Sequence, residues 1–406
     1  MKKRLLLLSL LAVAVLPTTA LARIKLITLP VRQRVEIQLD NPGATLVEEE
    51  RIVPLVRGVN QVDFSWANTQ IDPNTILFRV LPRAKSDNSD DSNDATEPLD
   101  VEVLSVSYPP GEAALVWQVS SSGSGSARVR ISYLLGRLQK SFNYRAVASH
   151  DESTLVLSQY MRLENFAGER YASSGIWAGF GQHFHREVGL NETKQMLMDK
   201  FTEIPVEKTY TAELARHGYL DQPQQKLLVP MHYVLTNDDE HGLGQAPLPY
   251  GKVRIFQQDG RGSSAFLGED WGQFTPLDDR MKLYVGVAQD IVVKRTIDEN
   301  VQHRVAGNLY NREVTLKFEI ENFKDKAVTL DIAEHVDQIR RELGFHNNRP
   351  VQYEVGEKTT FPDGRDKDES TLERLVFHVE LPPRSDDGKA EKITHKLHLI
   401  FKNHWQ

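Results

Sequence analysis

Apolar and polar residues alternate in short runs along most of this 406-residue chain, and Gly, Pro, Asn or Asp closes nearly every run. A period of two places successive side chains on opposite faces of a strand, so a chain patterned this way folds as sheets with one face buried. In residues 32–40, Val35, Ile37 and Leu39 share a face, and Asn41-Pro42-Gly43 supplies the turn. Residues 59–64, 75–80, 99–106, 113–119 and 128–133 repeat the pattern. The loose Ser/Gly run 120–126 reads as a hairpin loop, and Arg128 and Arg130 as a solvated strand face. Further on, 251–256, 266–270 and 281–285 read as a meander. Residues 313–320 and 327–332 read as a long hairpin around the polar turn 322–326, and 374–381 with 393–401 as another. Residues 154–166 are long for one strand and are expected to bend or to span two sheets, while 195–198 read as strand with a helical alternative. The helical candidate is 336–343, stopped by Gly344.

Many short strands at this spacing predict a mainly β fold of two antiparallel β-sandwich-like domains with at most one or two short helices. The expected division is a signal peptide at 1–22, an N-terminal β domain at 23–239 and a C-terminal β-sandwich at 240–406. Residues 84–98 should form a disordered acidic loop, because they lack apolar side chains large enough to offset the entropy of ordering them. A calcium loop is the alternative there, but the glycine and distal glutamate of a helix-loop-helix site are missing.

Met1-Lys2-Lys3-Arg4, the apolar run 5–16 and Ala20-Leu21-Ala22 read as an export leader cleaved after Ala22. The apolar run is shorter than the roughly 20 residues that cross a bilayer as a helix. The chain has no cysteine, which excludes a lipid-modified leader and a disulfide scaffold. It must therefore hold itself together with hydrophobic cores. Loss of Lys2, Lys3 and Arg4 with the leader takes the formal charge from −7 to −10, which argues against nucleic acid or anionic lipid as partner. The expected location is periplasmic or secreted.

Residues 249–256, 266–270 and 290–295 together resemble the C-terminal domain of bacterial mucoidy-inhibitor-A-like proteins, a domain of unknown function. The turn Glu321-Asn322-Phe323-Lys324-Asp325-Lys326 is similar to the family's turn, and residues 33–62 are similar to its opening strand pair. The resemblance implies a β-rich exported module without established catalytic residues. Commoner members carry a coiled coil between their halves, and no heptad run is present here.

Candidate chemistry concentrates in Gly181-Gln182-His183-Phe184-His185-Arg186-Glu187. On a strand His183, His185 and Glu187 share a face, two imidazoles and a carboxylate for a divalent metal, with His232 or His241 as candidates for a further ligand. Glu269 and Asp270 are strand neighbours that point apart, which suits a turn or cap better than paired acid–base work. Trp177, Phe180 and Trp271 are candidate sugar-stacking residues, with core burial as the plain alternative for such aromatics. No nucleophile elbow, His-Glu-x-x-His helix or phosphate loop occurs. These readings make the chain a non-enzymatic envelope protein that binds or scaffolds a protein or polysaccharide and needs no cofactor. The alternative is a metal-dependent hydrolase of envelope glycans.

Overall fold

The computed structural model describes residues 26–41, 43–82, 99–214, 226–344 and 352–405. The expected leader and the acidic loop 84–98 lie outside them. The protein is mainly β: strands arranged in five sheets, with one α-helix, Val336–Glu342, among the described residues. That helix ends as its sequence implies, with Leu343 at the C-cap and Gly344 at φ +73°.

Contacts divide the chain into two compact units, Met1–Lys140 with Leu163–Lys194, and Ser141–Arg162 with Gln195–Gln406. The turn-rich stretch near residue 240 is not where the contacts divide. Leu138–Ala148 pairs in parallel with Gly251–Gln258, which ties residues from 141 onward to the later chain. At Gly251 a Cβ would lie 2.4 Å from the Phe142 carbonyl oxygen, so this pairing admits only glycine there.

In the first unit, a four-stranded sheet runs in the order Leu26–Thr28, Gly58–Ser65, Ala114–Ser121, Val101–Ser107. A six-stranded sheet runs Gln182–Val188, Tyr171–Gly179, Arg34–Gln38, Thr45–Leu55, Gly125–Leu135, Leu77–Val80. Their inner faces meet through aromatic contacts. Phe64 of the first sheet lies 5.9 Å from Tyr133 of the second, and Trp117 of the first lies 4.8 Å from Phe78 of the second. This is sandwich packing, in which each strand's inward residues bury against the opposite sheet.

The second unit has a sandwich of its own. One sheet runs Arg280–Val287, Pro230–Thr236, Glu207–Glu213, Val328–His335, Arg374–Leu381, and the other Lys226–Leu227, Ile291–Ala306, Leu309–Asn322, Lys392–Trp405, Gln352–Val355. Leu330, Ile332, Phe377 and Val379 face Val314, Leu316, Phe318, Leu397 and Leu399 in one continuous buried cluster. Phe361 closes it, stacked on Phe377 at 4.4 Å. A fifth sheet, Glu192–Pro205, Thr154–Asn165, Leu138–Ala148, Gly251–Gln258, Ser264–Gly272, contains the long strand read at 154–166 and absorbs 195–198 as strand.

Three hairpins read from the sequence are instead arches between sheets. Ala114–Ser121 and Gly125–Leu135 belong to different sheets, as do Leu309–Asn322 and Val328–His335, and again Arg374–Leu381 and Lys392–Trp405. In the meander, Gly251–Gln258 and Ser264–Gly272 do pair, but Arg280–Val287 joins Pro230–Thr236 in another sheet. Period two fixes which face a strand buries, and leaves open whether its neighbour in sequence lies beside it or across the core. Most pairings among the described residues are antiparallel. Parallel ones include Leu26–Thr28 with Gly58–Ser65, Arg34–Gln38 with Tyr171–Gly179, Glu207–Glu213 with Val328–His335 and Leu138–Ala148 with Gly251–Gln258, and these join segments far apart in the chain.

Candidate functional site

The histidine pair lies on an edge strand of the six-stranded sheet. Gln182–Val188 pairs only with Tyr171–Gly179 among the described residues, in the register Gly175 opposite His185 and Trp177 opposite His183. The next strand sets Glu36 beside Gly175, so Glu36, Gly175 and His185 form one row across three strands. Because Gly175 has no side chain, the Glu36 carboxylate reaches over it. A Cβ there would lie 2.4 Å from Glu36 Oε2.

The result is a convergence of Glu36, His183 and His185, whose ligand atoms lie within 4.8 Å of one another. His183 Nε2 is 3.2 Å from Glu36 Oε2, and the Trp177 indole N–H donates to the same oxygen at 2.9 Å. Arg34 Nε donates to Oε1 at 2.9 Å. Trp177 stacks on the His183 ring at 4.2 Å, and His185 meets His183 edge-on at 5.1 Å. Burial opposes ionisation of Glu36, yet the hydrogen bonds from Arg34, Trp177 and His183 outweigh it and hold the carboxyl below its ordinary value.

Of the three residues read as ligands, the structure gathers two. Glu187 accepts a hydrogen bond from Arg170 at 2.5 Å, and the third position is taken by Glu36, 147 residues before His183. His232 and His241 belong to the second unit. His232 is buried beside the Tyr284 ring and His241 pairs with Asp238 at 2.5 Å. The sequence marks Glu36 only as an outward residue between Val35 and Ile37. No local signal connects it to the histidines.

The aromatic candidates fall in both units. Trp177 and Phe180 are part-exposed in the first, with Trp177 already engaged by Glu36 and His183. In the second, half-exposed Trp271 stacks parallel on Tyr250 at 5.1 Å, with the Lys252 ammonium 5.3 Å from its ring. Glu269 and Asp270 lie within a strand, neither at a turn nor a cap, and serve separate purposes. Glu269 accepts from Lys252 and Arg254, while Asp270 accepts from the backbone N–H groups of Trp271 and Tyr284. Arg128 and Arg130 both pair with Glu50 on a sheet face.

A cleft of about 620 Å³ in the second unit is lined by Lys208, Arg280, Lys282, Lys326, Asp331 and His378, among others. His378 bridges two carboxylates, Nδ1 to Asp331 at 2.8 Å and Nε2 to Asp366 at 2.6 Å. Burial disfavours its charged form, but the two aspartates outweigh burial and raise its pKa above the usual 6.5. A folded-state pKa above the unfolded value means the bridge stabilises fully below about pH 6.5 and is lost as pH rises through the folded value. A melting-temperature series from pH 6 upward, compared with His378→Gln, is expected to show the wild type's advantage shrinking as pH rises. A constant difference contradicts the bridge.

The strand Ile291–Ala306 pairs along its length with Leu309–Asn322. On its other edge, the described residues supply only Lys226 and Leu227, opposite Lys294 and Val293. From residue 297 to 306 that edge has no strand beside it among the described residues, and Val301 and Val305 are 46% and 52% exposed.

No family model matches the chain, and no curated protein matches it.

Proposed function

We propose that the chain is an exported, non-enzymatic protein of the cell envelope that takes on a partner protein by strand addition. The observation that supports this reading is the edge at 297–306, which no strand covers among the described residues. Exposed strand edges offer a row of backbone donors and acceptors that a second chain can pair with, and natural proteins ordinarily blunt them with charge, proline or a covering segment. The leader-like residues 1–22 support export, and the resemblance to mucoidy-inhibitor-A-like proteins supports an envelope role. The non-enzymatic part rests on the carboxylates beside the histidine pair. Glu48 and Glu50, on the same sheet face as Glu36, are each held by arginines, Arg79 at 2.8 Å and Arg130 at 2.7 Å, so neither of these two carboxylates is free for acid–base work.

Chemical crosslinking of intact cell envelopes tests the reading. The wild type is expected to give a discrete adduct that the double variant Val301→Lys, Val305→Lys loses while keeping its melting temperature. An adduct that survives both lysines places the contact elsewhere. A second reading, polysaccharide binding, draws on the half-exposed Tyr250–Trp271 stack with Lys252 beside it, since ring faces pack against sugar rings.

A further inference from the structure

The convergence on the six-stranded sheet carries an inference independent of the edge-pairing reading. Two imidazoles and a carboxylate suit a borderline first-row divalent cation such as Zn²⁺, whereas Ca²⁺ and Mg²⁺ prefer all-oxygen sets. One pair of donors already has the spacing a metal needs, and all three ligand atoms lie within 4.8 Å of one another. Zn–N and Zn–O bonds of about 2.0–2.1 Å in tetrahedral geometry place neighbouring donors roughly 3.3 Å apart, and His183 Nε2 lies 3.2 Å from Glu36 Oε2.

The surroundings are those of a ligand set held in place from behind. Arg34 holds one carboxylate oxygen and Trp177 the other, so the carboxylate is oriented before any ion arrives. Trp177 also covers one face of the His183 ring, fixing its plane. Gly175 clears the path of the carboxylate, and a side chain there would displace it. His185 reaches into solvent, so the open side of the set faces outward.

We propose that Glu36, His183 and His185 form a three-ligand site for a divalent transition metal, Zn²⁺ by preference, with its remaining position open to solvent or to a donor from a bound molecule. On binding, any proton on His183 Nε2 would pass to solvent, leaving Nε2 and Glu36 Oε2 to act as ligands. Trp177 keeps its bond to the carboxylate.

Titration of the full chain, purified without a histidine tag, with Zn²⁺ alone in a calorimeter is the test, with Co²⁺ absorption reporting the geometry. The expected result is ~1 Zn²⁺ per chain, with affinity falling tenfold or more in His183→Ala and in His185→Ala, as loss of a ligand should exceed the 10–100-fold typical of outer-shell changes. The His185 side chain is exposed and makes no hydrogen bond that holds the sheet among the described residues, so the metal-free His185→Ala variant should melt with the wild type. Glu187→Gln is expected to bind normally and Glu36→Gln weakly, which separates this set from one built on Glu187. No stoichiometric binding, or binding that survives both alanine variants, overturns the site. Failure here leaves the edge-pairing reading untouched, because that reading is tested by lysines in the other unit.

Discussion

Arg295→Ala is expected to cost the second unit about 3–5 kcal/mol, the usual penalty for removing one partner of a buried ion pair. For a unit of this size that is a fall of roughly 6–20 °C in melting temperature. Arg295 continues the inward face of Ile291 and Val293 into the sandwich and is 7% exposed. Glu334, 1% exposed, continues the inward face of Leu330 and Ile332 from the opposite sheet. The guanidinium meets it through two hydrogen bonds, Nε to Oε1 at 2.6 Å and Nη2 to Oε2 at 3.0 Å, while Nη1 donates to Glu342 of the helix at 2.8 Å. Burial works against the Arg295 charge, and the Glu334 and Glu342 carboxylates outweigh it, so its pKa is raised. Alanine leaves Glu334 ionisable and unpaired in the core. The double variant Arg295→Met, Glu334→Leu removes both charges, and its stability is expected to return close to wild type. Denaturant melts of the three proteins decide it. A double variant no better than the single one shows that packing, and not the stranded charge, sets the loss.

Glu49→Ala is expected to do comparable damage in the first unit, again about 3–5 kcal/mol. Glu49 sits between Val35 and Ile131 in the register of the six-stranded sheet, both of them core residues, and is itself fully buried. Arg51 approaches one oxygen through Nε at 3.0 Å and Nη2 at 2.9 Å, and Arg32 bonds the other while also pairing with Glu169. Removing the carboxylate leaves two largely buried guanidinium groups facing each other. Glu49→Gln keeps an acceptor and is expected to lose less. Hydrogen exchange followed strand by strand should show the loss confined to the first unit. An effect within the ±0.5 kcal/mol of ordinary surface changes contradicts the buried network.

These charged interiors mark the limit of what alternation reveals. Val35, Ile37 and Leu39 are buried on the face their spacing implies, and the helix Val336–Glu342 stands where Val336, Ile339 and Gly344 put it. Glu49 is hidden in the run Glu48-Glu49-Glu50, where nothing in the sequence tells the inward acid from its outward neighbours. Arg295 lies in step with Ile291 and Val293, but its charge reads as that of a surface residue. Pairing was less legible still. The turn at 322–326 looks like a hairpin loop because its polarity and length suit one, yet the flanking strands bury Phe318 and Leu330 toward each other across the core. The site was half legible for a related reason. Strand spacing puts His183 and His185 on one face, but the third donor comes from a strand joined in parallel two strands away, a long-range pairing that no local pattern encodes.

The most direct test of partner binding along 297–306 is a photo-crosslinking residue placed in living cells at Val301, with Leu372 of the same unit, 83% exposed, as the control position. A single adduct band at Val301 that is absent at Leu372 is the expected result. No adduct at Val301, or the same band at both positions, contradicts strand addition at this edge.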